Sequence, residues 1–317
     1  MKILITGGSG FIGSRLINEL QKENHEIVIY DIIKSEEYPE LCIIEDVRNK
    51  EALIKASKDI DIIYNLAAEH ADNVTPLSLY ADVNIGGAEN IVAAAKINSI
   101  NKIIFTSSVA IYGLNRGTPS ESMVAQPFNE YGHTKYEAEK IFLEWQRENE
   151  NHNLQIVRPA VVFGEKNRGN VYNLINQIVT GKFAMIGDGK NKKSMGYVGN
   201  ISAFLASLSS AEKKLDFFNF AGKGDLSTQE IVDIVKDELK MNNKFLRIPY
   251  IVGITGGYLL DIISKVTGKK FPVSAVRVQK FTAETTVSTE YLYSSGFKEP
   301  YTLEDGLRNM IKYEFKN

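Results

Sequence analysis

One cysteine, four histidines and a single tryptophan are spread over 317 residues. The lone thiol, Cys42, has no partner for a disulfide within the chain, which suits a reducing compartment. The histidines, at 25, 70, 133 and 152, lack metal-ligand spacing, so no metal site is expected. No apolar run reaches the ~18 residues of a membrane span. The chain opens on a strand-like run, Lys2 to Ile5, without a signal-peptide pattern. A net charge of −2, from 37 basic and 39 acidic side chains, gives no reason to expect a nucleic-acid partner. Repeats and low-complexity tracts are missing too. These absences leave a cytoplasmic globular protein, 44% hydrophobic, long enough for one large or two modest domains.

What is present is concentrated near the start. Ile3-Leu4-Ile5 leads into Thr6-Gly7-Gly8-Ser9-Gly10-Phe11-Ile12-Gly13, and an amphipathic run follows to Leu20. That order is strand, glycine-rich turn, helix. Gly7 suits the tight turn, Gly10 admits a pyrophosphate close to backbone, and Gly13 allows close helix packing. The free N–H groups of the helix start, from Phe11 and Ile12 onward, would face the phosphates. A second strand, Glu26 to Tyr30, ends in Asp31. An acid there can bind both ribose hydroxyls and would repel a 2′-phosphate. No arginine follows in Ile32-Ile33, so the expected cofactor is NAD rather than NADP.

Further strands are expected at 41–44, 61–65, 102–106 and 154–157, with helices at 76–97 and 130–150 between them. Asp46-Val47 is placed to lie against adenine, and Leu66-Ala67-Ala68 is small enough for backbone to approach the cofactor. Strands alternating with helices predict an α/β fold: a Rossmann-type doubly wound parallel sheet with a smaller, helix-rich substrate lobe. Residues 1–160 form the NAD-binding domain, with 199–222 returning to it. Residues 161–198 and 223–317 form the substrate lobe. Ser227-Thr-Gln-Glu230 matches a capping box.

Tyr131 and Lys135 stand four apart at a helix start, hence on one face. A neighbouring ammonium and a positive nicotinamide would both favour the phenolate, giving a general base near neutral pH. Ser107-Ser108 follow the fifth strand, and Ser108 can bond a substrate hydroxyl or the phenol. The ordered set of glycine turn, Asp31, Ser108, Tyr131 and Lys135 points to a redox enzyme acting on a hydroxyl.

Thr6 to Gly13, Asp46-Val47, Asn65 to Ala68, Ser107 to Gly113, Tyr131 to Lys135 and Arg158-Pro159 together resemble the extended short-chain dehydrogenase/reductases, the branch of sugar epimerases and dehydratases. The likeness spans the chain. It implies Ser108, Tyr131 and Lys135 as catalytic residues, and Asn173, Lys193 and Arg277 as contacts of a sugar diphosphate. It also implies a homodimer through helices 84–98 and 131–150. The stretches 68–80, 163–174 and 193–200 are similar to bacterial 4-epimerases of N-acetylglucosamine diphosphoundecaprenol. This likeness implies GlcNAc–GalNAc interconversion in surface polysaccharide (O-antigen, lipopolysaccharide) synthesis. A UDP-GlcNAc or UDP-glucose 4-epimerase, a nucleotide-sugar dehydratase, a reductase and a non-catalytic NAD-binding regulator are the alternatives. Dehydration needs an acid–base pair after the catalytic serine, where Val109-Ala110 stand here.

Between Lys244 and Lys280 lie seven basic residues, at 244, 247, 265, 269, 270, 277 and 280, and one acid, Asp261. They flank an apolar run, 248–264, too short to span a bilayer. Peripheral contact of 248–270 with an anionic membrane, on its inner face, is one expectation. An ordinary buried helix is the other.

Overall fold

The first strand sets the plan. In β1 (Lys2–Thr6) the side chains alternate: Ile3 and Ile5 enter one buried cluster, and Leu4 enters a second. The computed structural model describes residues 1–71, 74–269 and 274–316; Asp72, Asn73 and Lys270 of the motifs above lie outside these. With β2 (Glu26–Asp31), β3 (Cys42–Ile44), β4 (Ile62–Asn65), β5 (Lys102–Thr106), β6 (Asn153–Pro159) and the strand Leu215–Phe220, β1 forms a seven-stranded sheet. Its order is 215–220, β6, β5, β4, β1, β2, β3, and every pairing is parallel. The order reverses between β1 and β4, and such sheets bind ligands at the carboxyl ends beside that reversal.

Crossover helices cover both faces. Helix α1 (Phe11–Lys22) buries Leu16, Ile17 and Leu20 on the Ile3 side, each contributing about 1.5–3 kcal/mol. Helix α2 (Lys50–Ala56) is capped by Asn49, whose side chain accepts from the Ala52 N–H at 3.2 Å. The expected helix 76–97 is three pieces: α3 (Ser78–Tyr80), a π-helical turn Ala81–Ile85, and α4 (Gly86–Ile97). The wider turn holds Asn84, which is buried. Its amide accepts from the Glu69 N–H at 2.9 Å and donates to Glu69 O at 3.1 Å and Thr134 Oγ1 at 3.0 Å. Thr134 belongs to α5 (Glu130–Arg147), which buries Ala138, Phe142 and Trp145 on the Leu4 side.

The contacts divide the chain into two units: residues 1–162, 196–221 and 287–300, and residues 163–195, 222–286 and 301–317. The sequence reading put all of 223–317 in the substrate lobe, and 287–300 corrects it. Leu292 is fully buried in the first unit's core. Tyr291 Oη donates to Asp216 at 2.9 Å, Tyr293 Oη donates to Ala221 O at 2.9 Å, and Phe297 packs edge-on against Phe204. An aromatic-rich segment is held by whichever core takes its rings, and here that is the sheet's.

The second unit contains the helices Asn170–Val179, Thr228–Glu238, Tyr250–Thr267, Ala275–Thr282 and Leu303–Phe315. The capping box forms: Ser227 Oγ accepts from the Glu230 N–H, and the Glu230 carboxylate accepts from the Ser227 N–H. Helix 250–267 is inverted in its amphipathy. Gly253 and Gly257 face inward, where a Cβ would lie 2.7 Å from Ile186 and from the Ala275 backbone respectively. Ile251, Val252, Tyr258, Leu259, Ile262 and Ile263 share the opposite arc, and all are exposed, Ile251 at 73%. Of the two expectations, the buried core helix does not hold. Among the described residues no helix is long and apolar enough to cross a membrane.

Candidate active site

Apart from Tyr131 and Lys135 on α5, the predicted cofactor residues stand at or just after the carboxyl ends of β1, β2, β3 and β4. Gly7 has φ +72°, and a Cβ there would lie 2.6 Å from the Ala67 nitrogen, so the turn after β1 packs directly on the chain after β4. A Cβ on Gly13 would lie 2.6 Å from Gly8 O. Its smallness lets the first turn of α1 pack on the Gly7-Gly8 backbone that follows β1. Gly10 is the N-cap of α1. It offers no side chain to the first helical N–H groups, and the first turn carries no acid. Such an end favours an anion. Thr6 Oγ1 bonds Asn65 Oδ1 at 2.9 Å and the Leu66 N–H bonds Thr6 O at 2.9 Å, fixing Leu66, Ala67 and Ala68 against the turn.

Asp31 ends β2, with its carboxylate accepting from the Ser9 N–H at 3.0 Å and the Ile33 N–H at 3.2 Å. Asp46 is bound by Arg48 through its backbone N–H and guanidinium, with contacts down to 2.6 Å. This hydrogen bonding holds its carboxyl below the usual range. Val47 is buried, and a Cβ on Gly87 would meet its methyl at 3.0 Å. Glycines that admit backbone only, an uncapped helix start and an acid at the second strand's end fit a dinucleotide.

The second group of residues lies after β5. Ser108 caps the 3₁₀ turn Val109–Tyr112, its hydroxyl accepting from the Ala110 N–H at 3.1 Å. The same hydroxyl lies near the phenol of Tyr131, on the first turn of α5. Asn129 caps that helix, its side chain accepting from the Gly132 N–H at 2.9 Å. Gly132 is required there, because a Cβ would lie 2.6 Å from Ala110 O. That close approach sets Tyr131 beside Ser108.

Burial raises the Tyr131 phenol above its ordinary range. The nearby Ser108 hydroxyl pulls it back and the Tyr80 phenol adds to the rise. Burial also pushes the Lys135 ammonium down to about 7, while Glu139 draws it up. The sequence reading expected the ammonium to acidify the phenol. Among the protein's own groups, desolvation is the larger effect on both. Lys135 is 1% exposed and lies over the Phe105 ring, 4.3 Å from its centroid.

The sequence reading missed the network behind this pair. Arg158 at the end of β6 grips Glu139 of α5 through two bonds, 2.9 and 2.7 Å, with both side chains nearly fully buried. It also donates to Tyr112 Oη at 2.8 Å, and Tyr112 Oη donates to Asn219 at 2.7 Å. One signal was available, a charged Arg158 in an apolar strand.

The three predicted substrate contacts belong to the second unit. Asn173 is exposed on helix 170–179, and Arg277 is exposed on helix 275–282. The Lys193 ammonium donates to Lys280 O at 3.2 Å and Ala283 O at 3.1 Å, capping helix 275–282. Burial lowers its pKa. Sequence spacing does not show that cap.

A model of the NAD dependent epimerase/dehydratase family matches residues 3–219. The chain is 46% identical, over 99% of its length and 95% of the relative's, to N-acetyl-alpha-D-glucosaminyl-diphospho-ditrans,octacis-undecaprenol 4-epimerase of Escherichia coli O157:H7. The chain belongs to the NAD-dependent epimerase/dehydratase family. Its cofactor is NAD, in keeping with the glycine turn and Asp31. The fold of this family member is that of solved epimerases. UDP-glucose 4-epimerase of Thermotoga maritima, solved with UDP-glucose, superposes with TM-score 0.79 at 20% identity, covering 100% of this chain and 99% of that one. UDP-N-acetylglucosamine 4-epimerase of Methanobrevibacter ruminantium M1, with UDP-N-acetylmuramic acid, gives 0.77 at 23% identity, covering 99% and 98%.

Proposed function

We propose that the protein is an NAD-dependent 4-epimerase interconverting GlcNAc and GalNAc on a diphosphate carrier, undecaprenyl diphosphate, for surface polysaccharide. The observation that carries the reaction is Tyr131 set beside Ser108, one turn ahead of buried Lys135, in a chain 46% identical to a 4-epimerase throughout. Tyr131 Oη takes the proton of the sugar's 4-hydroxyl and returns it after inversion. Ser108 orients that hydroxyl, and Lys135 supplies positive charge behind the phenol. Bound NAD supplies the hydride acceptor and donor at C4, so the cycle is redox-neutral. Val109 and Ala110 carry no group able to move a proton, which disfavours dehydration. Gly7, Gly10, Phe11, Ile12 and Gly13 hold the pyrophosphate, Asp31 the ribose, and Asp46 and Val47 the adenine. Purified protein offered both UDP-GlcNAc and the undecaprenyl-linked sugar is expected to turn over the lipid-linked one faster. Faster turnover of UDP-GlcNAc would overturn the carrier assignment.

Cofactor choice rests on Asp31. Asp31→Ala is expected to weaken NAD binding and narrow the preference over NADP. A wild type that already prefers NADP would remove the ribose assignment.

The outward apolar arc of helix 250–267, with Lys265 and Lys269 at its end, supports peripheral contact with an anionic membrane from the cytoplasmic side. Each lysine adds about 1 kcal/mol of attraction. Wild type is expected to float with anionic vesicles at low salt, and Lys265→Glu/Lys269→Glu to stay behind. Failure of the wild type to float would leave a soluble nucleotide sugar as the better substrate.

A homodimer through the α4 and α5 faces completes the reading. Light scattering showing a monomer at micromolar concentration would count against it.

A further inference from the structure

The buried charges behind the catalytic pair form a ladder. Tyr131, Lys135 and Glu139 stand at i, i+4 and i+8 of α5, three successive turns on one face. Arg158 closes the far end from β6, bonding both Glu139 oxygens. Each rung is held from another element. Phe105 of β5 lies under the Lys135 ammonium. Ser108, capping the turn after β5, stands near the phenol. Tyr112 Oη and Glu121 O accept from Arg158 Nη1, at 2.8 and 3.1 Å, and Phe217 lies under the guanidinium at 4.9 Å.

From this geometry we infer that Glu139 is the counter-ion that keeps buried Lys135 charged, with Arg158 limiting how strongly it does so. Glu139 is a positioning residue. It touches neither sugar nor cofactor and acts through Lys135. A buried ammonium with no acid in reach would lose its proton below neutral pH. An acid free to pair with Lys135 directly would draw it away from Tyr131. Occupying both Glu139 oxygens with Arg158 leaves only the longer-range attraction. The facing titratable groups are Glu139 and Tyr131 on Lys135's own helix, Arg158 from β6, Tyr112 and Glu121 from the segment after β5, and Tyr80 beside the phenol.

The inference rests on the proposed role of Lys135, and the test separates the two. Lysine labelled with ¹³C at Cε reports the Lys135 titration by NMR, the signal being assigned by its loss in Lys135→Arg. In Glu139→Gln the Lys135 pKa is expected to fall by about one unit. Since the single change leaves Arg158 unpaired, Glu139→Gln/Arg158→Leu is measured alongside, and there the pKa is expected to fall less but still measurably. An unchanged Lys135 titration in folded double variant would overturn the inference and make the pair a structural clamp only. The pH–rate profile tests the underlying reading. If charged Lys135 assists Tyr131, the alkaline limb moves to lower pH with the titration. A shifted titration with an unmoved limb would keep the ladder and remove Lys135 from the chemistry.

Discussion

Replacing Tyr131 with Phe is expected to lower turnover by about 10²–10⁴ while NAD stays bound. The change deletes one oxygen. That oxygen is the proton-moving group on the first turn of α5 that lies near Ser108. The ring remains, so the Gly132–Ala110 approach and the Asn129 cap are undisturbed. Turnover of the sugar and the NAD released on denaturation are measured on the same preparation. Near-normal turnover with full NAD would refute the assignment. Loss of both would show that the ring, rather than the oxygen, was being tested.

Arg158→Leu is expected to destabilise the protein by about 3–5 kcal/mol. It leaves Glu139, 1% exposed, without the guanidinium that satisfies both of its oxygens. It also removes donors from Tyr112 Oη and Glu121 O. Against a usual total of about 5–15 kcal/mol, that is a large fraction. The urea midpoint reports it, and Glu139→Gln/Arg158→Leu is expected to recover much of the loss. A cost under 1 kcal/mol would mean that the pair is more hydrated than its burial indicates.

The parts of the site legible in the sequence are the local ones. A strand, four glycines and a helix start lie within thirteen residues, and Tyr131 and Lys135 are one turn apart. Each can be recognised without knowing what lies across the fold. The misread parts are set by distant partners. Glu139 reads as one acid of a surface helix until Arg158, 19 residues on, is seen to bind it. Residues 287–300 follow a helix-rich stretch and read as its continuation, but their rings fill the sheet's core. The family resemblance implies a diphosphate contact at Lys193, but its ammonium caps a helix that begins 82 residues later, since that helix's last carbonyls need a cation. Periodicity shows helix 250–267 to be apolar. Which way its arc points is set by Gly253 and Gly257, whose lack of side chain draws the opposite face inward.

The return of residues 287–300 to the first unit has a consequence for how the protein is made. A ribosome that has released residue 162 has delivered β1 to β6, but the outer edge of β6 waits for Leu215–Phe220, and the hydrophobic layer around Phe204 waits for Leu292 and Phe297. At ~5–20 residues per second, that interval is on the order of ten seconds. During it a parallel strand edge and a partly filled apolar layer face water, the condition in which nascent chains aggregate or recruit chaperones. A chain stopped at residue 286 would pair the β6 edge but never fill the layer around Phe204, so neither unit is obtained by cutting the gene once.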